Sequence, residues 1–206
     1  MSKVLLINGS PHAKGCTYTA LMEVASELEK AGVETELVQI GLKDIRGCIA
    51  CGHCGKAGKC VMDDIVNEIA ARLEEFDGMV VGSPVYYASM NGTLKAFLDR
   101  LFYSKRCDMT MKPGAAVVSC RRGGASATFD QLNKYFTISG MPVVSSQYWN
   151  SVHGNNPEEV RRDEEGLQTM RTLGRNMAFL IKSIRLGREA FGLPEKEKHL
   201  WTNFID

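Results

Sequence analysis

The sequence lacks a dominant charge and has no long hydrophobic run. Its 206 residues include 25 basic and 24 acidic side chains, so the formal net charge is +1. This balance argues against nucleic acid as the main ligand, because nucleic-acid-binding domains concentrate positive charge. No apolar run approaches the ~20 residues of a membrane span. The chain opens directly on a strand pattern, so we expect no signal peptide and a cytoplasmic location.

Two well-known phosphate-binding motifs are also absent. A Walker loop requires Lys-Ser/Thr directly after its last glycine, but Gly15 is followed by Cys16. The dinucleotide fingerprint requires Gly-x-Gly-x-x-Gly, but Gly9 is followed by Ser10 and Pro11. The sequence therefore disfavours both ATP and a dinucleotide held in the Rossmann manner.

The chain does contain a regular alternation of strand and helix patterns. Five apolar runs alternate with amphipathic segments, which predicts an α/β fold with a parallel sheet covered by helices on both faces. The predicted strands span 2–8, 34–40, 78–82, 115–119 and 142–146. The predicted helices span 17–31, 65–76, 91–102, 128–139 and about 157–188. We predict a three-layer sandwich with strand order 2-1-3-4-5 over residues 1–189, then a tail over 190–206 with Phe191, Trp201 and Phe204 as candidate anchors.

The junction between the first strand and the first helix is a candidate phosphate site. The strand ends in Asn-Gly-Ser-Pro, and a hydroxyl-rich stretch opens the helix. Backbone N–H groups at a helix start lack intrahelical partners and carry the positive end of the helix dipole. We therefore predict a cradle for a phosphate monoester; a plain turn capped by Ser or Thr is the alternative. The candidate ligands are Ser10, His12, Cys16, Thr17, Tyr18 and Thr19.

Two further loops follow the third and fourth strands, whose carboxyl ends lie at the same sheet edge in this strand order. The third-strand loop offers a rigid proline turn and two aromatic faces, which suit a planar heterocycle. Its candidate residues are Ser83, Pro84, Val85, Tyr86 and Tyr87. The fourth-strand loop offers Arg121 and Arg122 against negative charge, and Gly123 for close backbone approach.

Each of these loops, taken alone, also fits a simpler interpretation. The tyrosines suit a cover over the end of the sheet, and the arginines suit a solvated turn. Taken together, a phosphate cradle, an aromatic slot and a glycine-arginine loop describe a mononucleotide with a flat ring. FMN is the best match to that description.

Several segments carry a resemblance to a known family. The stretch 4–11, the Gly15-x-Thr17 step and the stretch 82–87 resemble the flavodoxin-like NAD(P)H-dependent FMN reductases, and the chain is most similar to the iron-sulfur flavoproteins among them. The resemblance covers about residues 1–186. It implies non-covalent FMN, NAD(P)H as co-substrate, and a homodimer or homotetramer. Where the family loop has arginine and asparagine, this chain has His12 and Cys16, which leaves a backbone cradle intact.

A cysteine-rich insertion over residues 41–62 is the most specific local signal. Its spacing is Cys48-x2-Cys51-x2-Cys54-x5-Cys60. Four thiolates this close in sequence suit a 4Fe-4S cluster, and the spacing resembles the iron-sulfur flavoprotein motif. Two alternatives stay open. One is structural zinc, although zinc sites usually set two cysteine pairs well apart; the other is free thiols or a disulfide without metal.

Four other positions have candidate roles. His53 lies inside the cysteine motif and is interpreted as a solvated or supporting residue rather than a ligand. Cys120 is interpreted as a packing residue near the ring site. His153 either reaches that site or caps its own loop. Asp99-Arg100 is interpreted as a solvated or intersubunit charge pair.

The main functional hypothesis is an FMN-dependent oxidoreductase that passes electrons from NAD(P)H to a small-molecule or protein acceptor. Hydride transfer is the chemistry of the flavin, so no catalytic side chain is required. Two alternatives belong to other classes. One is a flavodoxin-type electron carrier without its own substrate, although flavodoxins tend to be more acidic than this chain. The other is a four-cysteine metal-binding module that organises a partner.

Overall fold

A parallel β-sheet of five strands forms the centre of the protein. The structure is a computed structural model that describes residues 2–202 and 204. The strands run in the order β2-β1-β3-β4-β5, and each neighbouring pair is parallel. They are β1 (Lys3–Asn8), β2 (Glu34–Gln39), β3 (Gly78–Pro84), β4 (Gly114–Cys120) and β5 (Ser151–His153). This topology confirms the predicted fold class and strand order.

Helices cover both faces of the sheet. They are α1 (Cys16–Lys30), α2 (His53–Ala57), α3 (Ile65–Arg72), α4 (Gly92–Ser104), α5 (Ala125–Ile138), α6 (Pro157–Arg162) and α7 (Glu164–Phe191), with a short 3-10 turn at Leu73–Glu75. Over residues 2–202 and 204, no helix combines the length and the apolar character that crossing a membrane requires.

The first strand shows why both faces are covered. Its side chains alternate between faces, and Val4, Leu5, Leu6 and Ile7 are all fully buried. Leu5 and Ile7 pack in the core beneath α3, α4 and α5, whereas Val4 and Leu6 pack beneath α1 and α7. A continuous apolar run is therefore required here, as expected for a strand inside a parallel sheet.

The fifth strand lies later in the chain than predicted. The stretch over 142–146 makes only one isolated bridge, between Val143 and Gly114. The chain then leaves the sheet in a turn where the Ser146 hydroxyl lies 2.7 Å from the Asn150 side-chain oxygen, and it returns as β5 beside β4. Polar side chains that bond locally compete with a strand ladder, which explains the interruption. The predicted strand over 142–146 is therefore wrong.

The long C-terminal helix is also divided, contrary to the prediction of one helix from Pro157 to about Arg188. Asp163 has non-helical backbone angles (φ −79°, ψ 78°) and separates α6 from α7. Its carboxylate accepts the N–H of Gly166 at 2.9 Å and the N–H of His153 at 2.7 Å. The residue therefore caps α7 and binds the end of β5 at the same time.

The tail does not anchor as predicted. Helix α7 continues through Phe191, two residues beyond the predicted domain end at 189. The aromatic side chains of Phe191, Trp201 and Phe204 are each about 90% exposed, so none of them is buried against the domain; Trp201 packs edge-on against His199 within the tail. The other predicted part of the tail, at 203, 205 and 206, lies outside the described residues.

Candidate functional site

The carboxyl ends of β1, β3 and β4 lie side by side and bring the three predicted loops together. The N–H of Gly9, just after β1, donates to the carbonyl of Gly82 in β3 at 2.8 Å. The N–H of Val85, just after β3, donates to the carbonyl of Ser119 in β4 at 2.9 Å. This edge is where open α/β sheets bind ligands.

Helix α1 starts at this edge without a side-chain cap. Its N-cap residue is Gly15, which has no side chain to accept a hydrogen bond. By contrast, α3, α4, α6 and α7 are each capped by an acidic or amide side chain, from Asp64, Asn91, Asn156 and Asp163. An uncapped helix start leaves its N–H groups available to an anion.

Five backbone N–H groups are available at this start. Among the described residues none of them finds an acceptor; they belong to Ala13, Lys14, Cys16, Thr17 and Tyr18. The helix dipole adds positive potential at the same place. The loop therefore fits the phosphate of a mononucleotide, and this fit depends on the backbone.

Several hydroxyl groups of the loop are engaged inside the protein. The Ser10 hydroxyl is buried and accepts the N–H of His12 at 3.1 Å. The Thr17 hydroxyl lies 2.8 Å from that of Ser119, and the Thr19 hydroxyl donates to the Gly15 carbonyl at 3.1 Å. The structure thus places these predicted ligands around the loop. The hydroxyls of Thr17 and Thr19, however, form bonds within the protein and stabilise the loop.

The remaining predicted residues of the first loop lie at its surface or in its wall. His12 is exposed, and Tyr18 is half-buried. The Cys16 thiol donates to the Gly154 carbonyl at 3.6 Å. Burial raises the pKa of this thiol above its usual value, so it is protonated at neutral pH and is a poor nucleophile.

The β3 loop is a tight turn that presents aromatic side chains to solvent. Tyr86 and Ser89 exchange backbone hydrogen bonds of 2.9 and 3.0 Å. Between them, Tyr87 and Ala88 both have positive φ angles, of 50° and 55°. Two successive left-handed residues are costly without glycine, and such strain concentrates at ligand sites. The Tyr87 side chain is fully exposed.

The base of this turn is rigid. Ser83 is fully buried, and its hydroxyl accepts the N–H of Asn91 at 3.0 Å and donates to the Pro84 carbonyl at 2.8 Å. Asn91 in turn caps α4. The predicted residues Ser83, Pro84 and Val85 therefore fix the turn, while the two tyrosines face outward.

The β4 loop lies against the β3 turn. Arg121, Arg122 and Gly123 are exposed, and α5 begins after Gly124 without a side-chain cap. Gly124 has a φ of +89°, and a Cβ placed on it would lie 2.9 Å from the Cα of Ala88. The glycine therefore allows the two loops to touch, as only a residue without Cβ can do here.

The four cysteines of the insertion line a single cavity of about 380 Å³, beside Arg100, Tyr103 and Ser104 of α4. All four are free thiols: Cys48, Cys51, Cys54 and Cys60. Over the described part of the chain, no three metal-binding side chains are gathered closely enough to hold one ion. The cavity wall offers four sulfur ligands, which is the donor type that iron-sulfur clusters take. His53 is exposed and is not part of the cavity wall.

The prediction that Asp99 and Arg100 form a solvated or intersubunit charge pair is wrong, because Arg100 is buried and the two residues have separate partners. The Arg100 side chain is 1% exposed and pairs with the Asp64 carboxylate at 2.6 and 3.0 Å. Its Nε–H donates to the Cys60 sulfur at 3.2 Å. Asp99 instead faces outward and pairs with Lys95 at 3.2 Å. Consecutive helical residues point in different directions, so two charges adjacent in sequence need not form a pair.

Cys120 and His153, the two other residues with predicted roles, lie near the carboxyl edge of the sheet. Cys120 is buried at the end of β4, and burial raises the pKa of its thiol, which supports a packing role. His153 is half-exposed, with its ring nitrogen Nδ1 3.6 Å from the Asp163 carboxylate. The backbone N–H of His153 donates to the same carboxylate at 2.7 Å, which joins β5 to the start of α7.

Known proteins share this sequence and architecture. The family model described as NADPH-dependent FMN reductase matches residues 2–156. An iron-sulfur flavoprotein of Methanocaldococcus jannaschii is 33% identical over 191 residues, covering 89% of this chain and 99% of the relative. An iron-sulfur flavoprotein of Methanosarcina thermophila is 32% identical over 193 residues, covering 91% and 99%.

Solved structures support the fold. RosB, crystallised with the bound intermediate 8-demethyl-8-formylriboflavin-5'-phosphate, has a TM-score of 0.73 at 15% identity, covering 100% of this chain and 93% of that chain. A flavodoxin from the domain Archaea has a TM-score of 0.59 at 17% identity, covering 88% and 99%. The family match and the relatives above 30% identity show that this chain belongs to the NADPH-dependent FMN reductase family, a family of FMN-dependent oxidoreductases.

Proposed function

We propose that this protein binds FMN where the three loops meet and uses it to move electrons from NAD(P)H to an acceptor. The observation that carries the proposal is the uncapped start of α1, where five backbone N–H groups have no acceptor among the described residues. A phosphate is the group that this arrangement suits, and the family match makes FMN the mononucleotide.

The residues around the edge take separate roles in this proposal. The backbone of residues 13–18 would hold the phosphate, with Ser10 and His12 beside it. The turn that carries Tyr86 and Tyr87 would cover the ring, while Arg121 and Arg122 would offset negative charge on the ring or on the nicotinamide nucleotide. When bound, FMN supplies the hydride and electron chemistry, and the protein supplies binding and orientation.

We propose further that Cys48, Cys51, Cys54 and Cys60 hold a 4Fe-4S cluster. All four line one cavity, and two relatives of this chain are named iron-sulfur flavoproteins. Two hydrogen bonds to sulfur support a thiolate site: Ala50 N–H to Cys48 at 3.5 Å, and Arg100 to Cys60. Zinc is less well supported, because zinc sites usually set two cysteine pairs well apart in sequence, whereas Cys48, Cys51 and Cys54 fall within seven residues.

The acceptor and the assembly belong to the same proposal. An iron-sulfur cluster transfers single electrons, so a protein or small-molecule acceptor of one electron fits it. Free thiols and an oxygen-sensitive cluster suit the reducing cytoplasm. The homodimer or homotetramer expected from the resemblance stays a prediction, which light scattering of the anaerobic protein tests.

Anaerobic purification with assays for flavin, iron and sulfide tests this function. We expect about one FMN per chain, with NADH or NADPH oxidised in the presence of a quinone or ferricyanide. Bound FMN without turnover of either nucleotide supports a flavodoxin-type carrier instead. Bound zinc without flavin supports a metal-binding module and refutes the oxidoreductase.

A further inference from the structure

We propose that Arg100 is a positioning residue of the cysteine site, which holds Cys60 in place and makes the bound cluster easier to reduce. This inference rests on the proposed cluster. It assigns a role to a residue outside the cysteine motif, on a different element of the fold. A side chain of α4 would thus set a property of an insertion that begins about 60 residues earlier in the chain.

The contacts of Arg100 show that its direction is fixed. The two terminal nitrogens hold both oxygens of Asp64, at 2.6 and 3.0 Å, in the fork geometry that guanidinium and carboxylate share. A further donor, Nε–H, points at the Cys60 sulfur at 3.2 Å. Asp64 is itself held, because it caps α3 by accepting the Val66 N–H at 3.0 Å. The donor that faces the sulfur therefore has little freedom to turn away.

The same guanidinium also holds both ends of the cysteine segment. Nη1 donates to the carbonyl of Arg46, just before the first cysteine, at 3.2 Å. Nη2 donates to the carbonyl of Met62, just after the last, at 3.1 Å. Lysine cannot reproduce this pattern, because one ammonium lacks the planar set of five donors. One buried side chain thus joins the start, the end and a sulfur of the insertion.

A hydrogen bond from a cationic group stabilises negative charge on a thiolate sulfur. Reduction adds an electron to a cluster, and the added charge spreads onto its sulfurs. Hydrogen bonds to sulfur and local charge are known levers on the reduction potential of iron-sulfur clusters. Arg100 is 1% exposed, so solvent screens this interaction poorly. We therefore expect the reduced cluster to gain more from Arg100 than the oxidised cluster does.

Spectroelectrochemical titration of the reconstituted, FMN-loaded protein tests the role. In Arg100→Gln the charge and the Nε–H are both removed, and we expect the one-electron reduction equilibrium to fall by about tenfold, a shift of about 59 mV to lower potential. Arg100→Lys keeps the charge but loses the bond to Cys60, so a smaller shift in the same direction is expected. Lys95→Gln removes an equal charge from the exposed face of α4 and should leave the potential unchanged.

Each outcome decides a separate point. An unchanged potential in a fully loaded Arg100→Gln protein overturns the role of Arg100 and leaves the proposed function intact. If that variant does not fold, Arg100→Lys decides, and a wild-type potential in it overturns the role. Wild-type protein that takes up FMN but no iron and sulfide on anaerobic reconstitution refutes the cluster, and the role of Arg100 with it.

Discussion

The hydroxyl groups of Thr17 and Ser119 lie 2.8 Å apart, although the two residues are 102 positions apart in sequence. Both side chains are buried, Thr17 in the first turn of α1 and Ser119 near the end of β4. The contact joins the candidate phosphate loop at the start of α1 to β4, the strand whose following loop carries Arg121 and Arg122. The candidate FMN site is thus built on the core as one unit.

Thr17→Val should lower the free energy of unfolding by about 1–3 kcal/mol, because it leaves the buried Ser119 hydroxyl without its partner. Urea unfolding, followed by circular dichroism, measures the change. Thr17→Ser is the matched control, since it keeps the hydroxyl and loses only a methyl group. Equal stability of the wild type and Thr17→Val contradicts a role for this bond.

Gly124→Ala should weaken FMN binding roughly tenfold, because a residue with Cβ relaxes from the left-handed φ in the free protein and restoring that φ on binding costs about 1–2 kcal/mol. The added Cβ would also press on Ala88 in the tyrosine turn. Gly187→Ala is the control, because a Cβ there meets nothing within 4 Å and Gly187 lies in α7, outside the three loops. Fluorescence titration measures the affinity of both variants for FMN. Equal losses of affinity in the two would argue against the proposed contact between the loops.

Cys51→Ser should abolish the iron and sulfide content but leave FMN bound at about one per chain. The insertion lies outside the three loops and contributes only Ile45 to the hydrophobic core. Cys107→Ala is the control, because Cys107 is buried and does not line the cysteine cavity, so its loss should not affect iron. Iron retained at the wild-type level in Cys51→Ser would exclude that residue as a ligand.

The stability of the protein should depend on pH through Glu36 in the acid range. Hydrogen bonds from Arg72 and then Lys3 lower the pKa of Glu36 to about 2, from a usual value of 4.5. A carboxylate with a lowered pKa stabilises the fold above pH 4.5, and this contribution disappears as the pH falls towards 2. The group is partly exposed, so the contribution is about 1 kcal/mol or less. Urea midpoints at pH 6 and pH 3 should differ less in Glu36→Gln than in the wild type. An equal difference in the two proteins would contradict the stabilising role of the Glu36 carboxylate.

Much of the fold could be predicted from local pattern. The apolar runs of β1 and β3 and the amphipathic stripe of α1 are set by the period of the sequence and matched the structure within a few residues. The position of β5 could not be found in this way. Three residues of strand carry almost no periodic signal, and hydrogen bonds of Ser146 and Asn150 divert the chain away from the apolar run before it.

The candidate site was harder to predict from the sequence than the fold was. The three loops could be brought together in advance, because the strand order alone places their ends side by side. The part played by backbone N–H groups could be expected from the strand–turn–helix pattern at the start of α1, whereas the internal bonds of Thr17 and Thr19 depend on rotamers. The burial of Arg100 could not be foreseen, because its partner Asp64 lies 36 residues away on another element.

The relative affinity of the protein for FMN and riboflavin tests the central claim most directly. The two ligands share the ring and differ in the phosphate, which the N–H groups at the start of α1 should hold. Hydrogen bonds to a charged group contribute about 1.5–3 kcal/mol each, so loss of two or more should weaken binding by about 100-fold or more. Calorimetric titration of the flavin-free protein should show FMN binding at least 100-fold more tightly than riboflavin. Equal affinities would contradict the phosphate cradle, and with it the proposed position of the flavin.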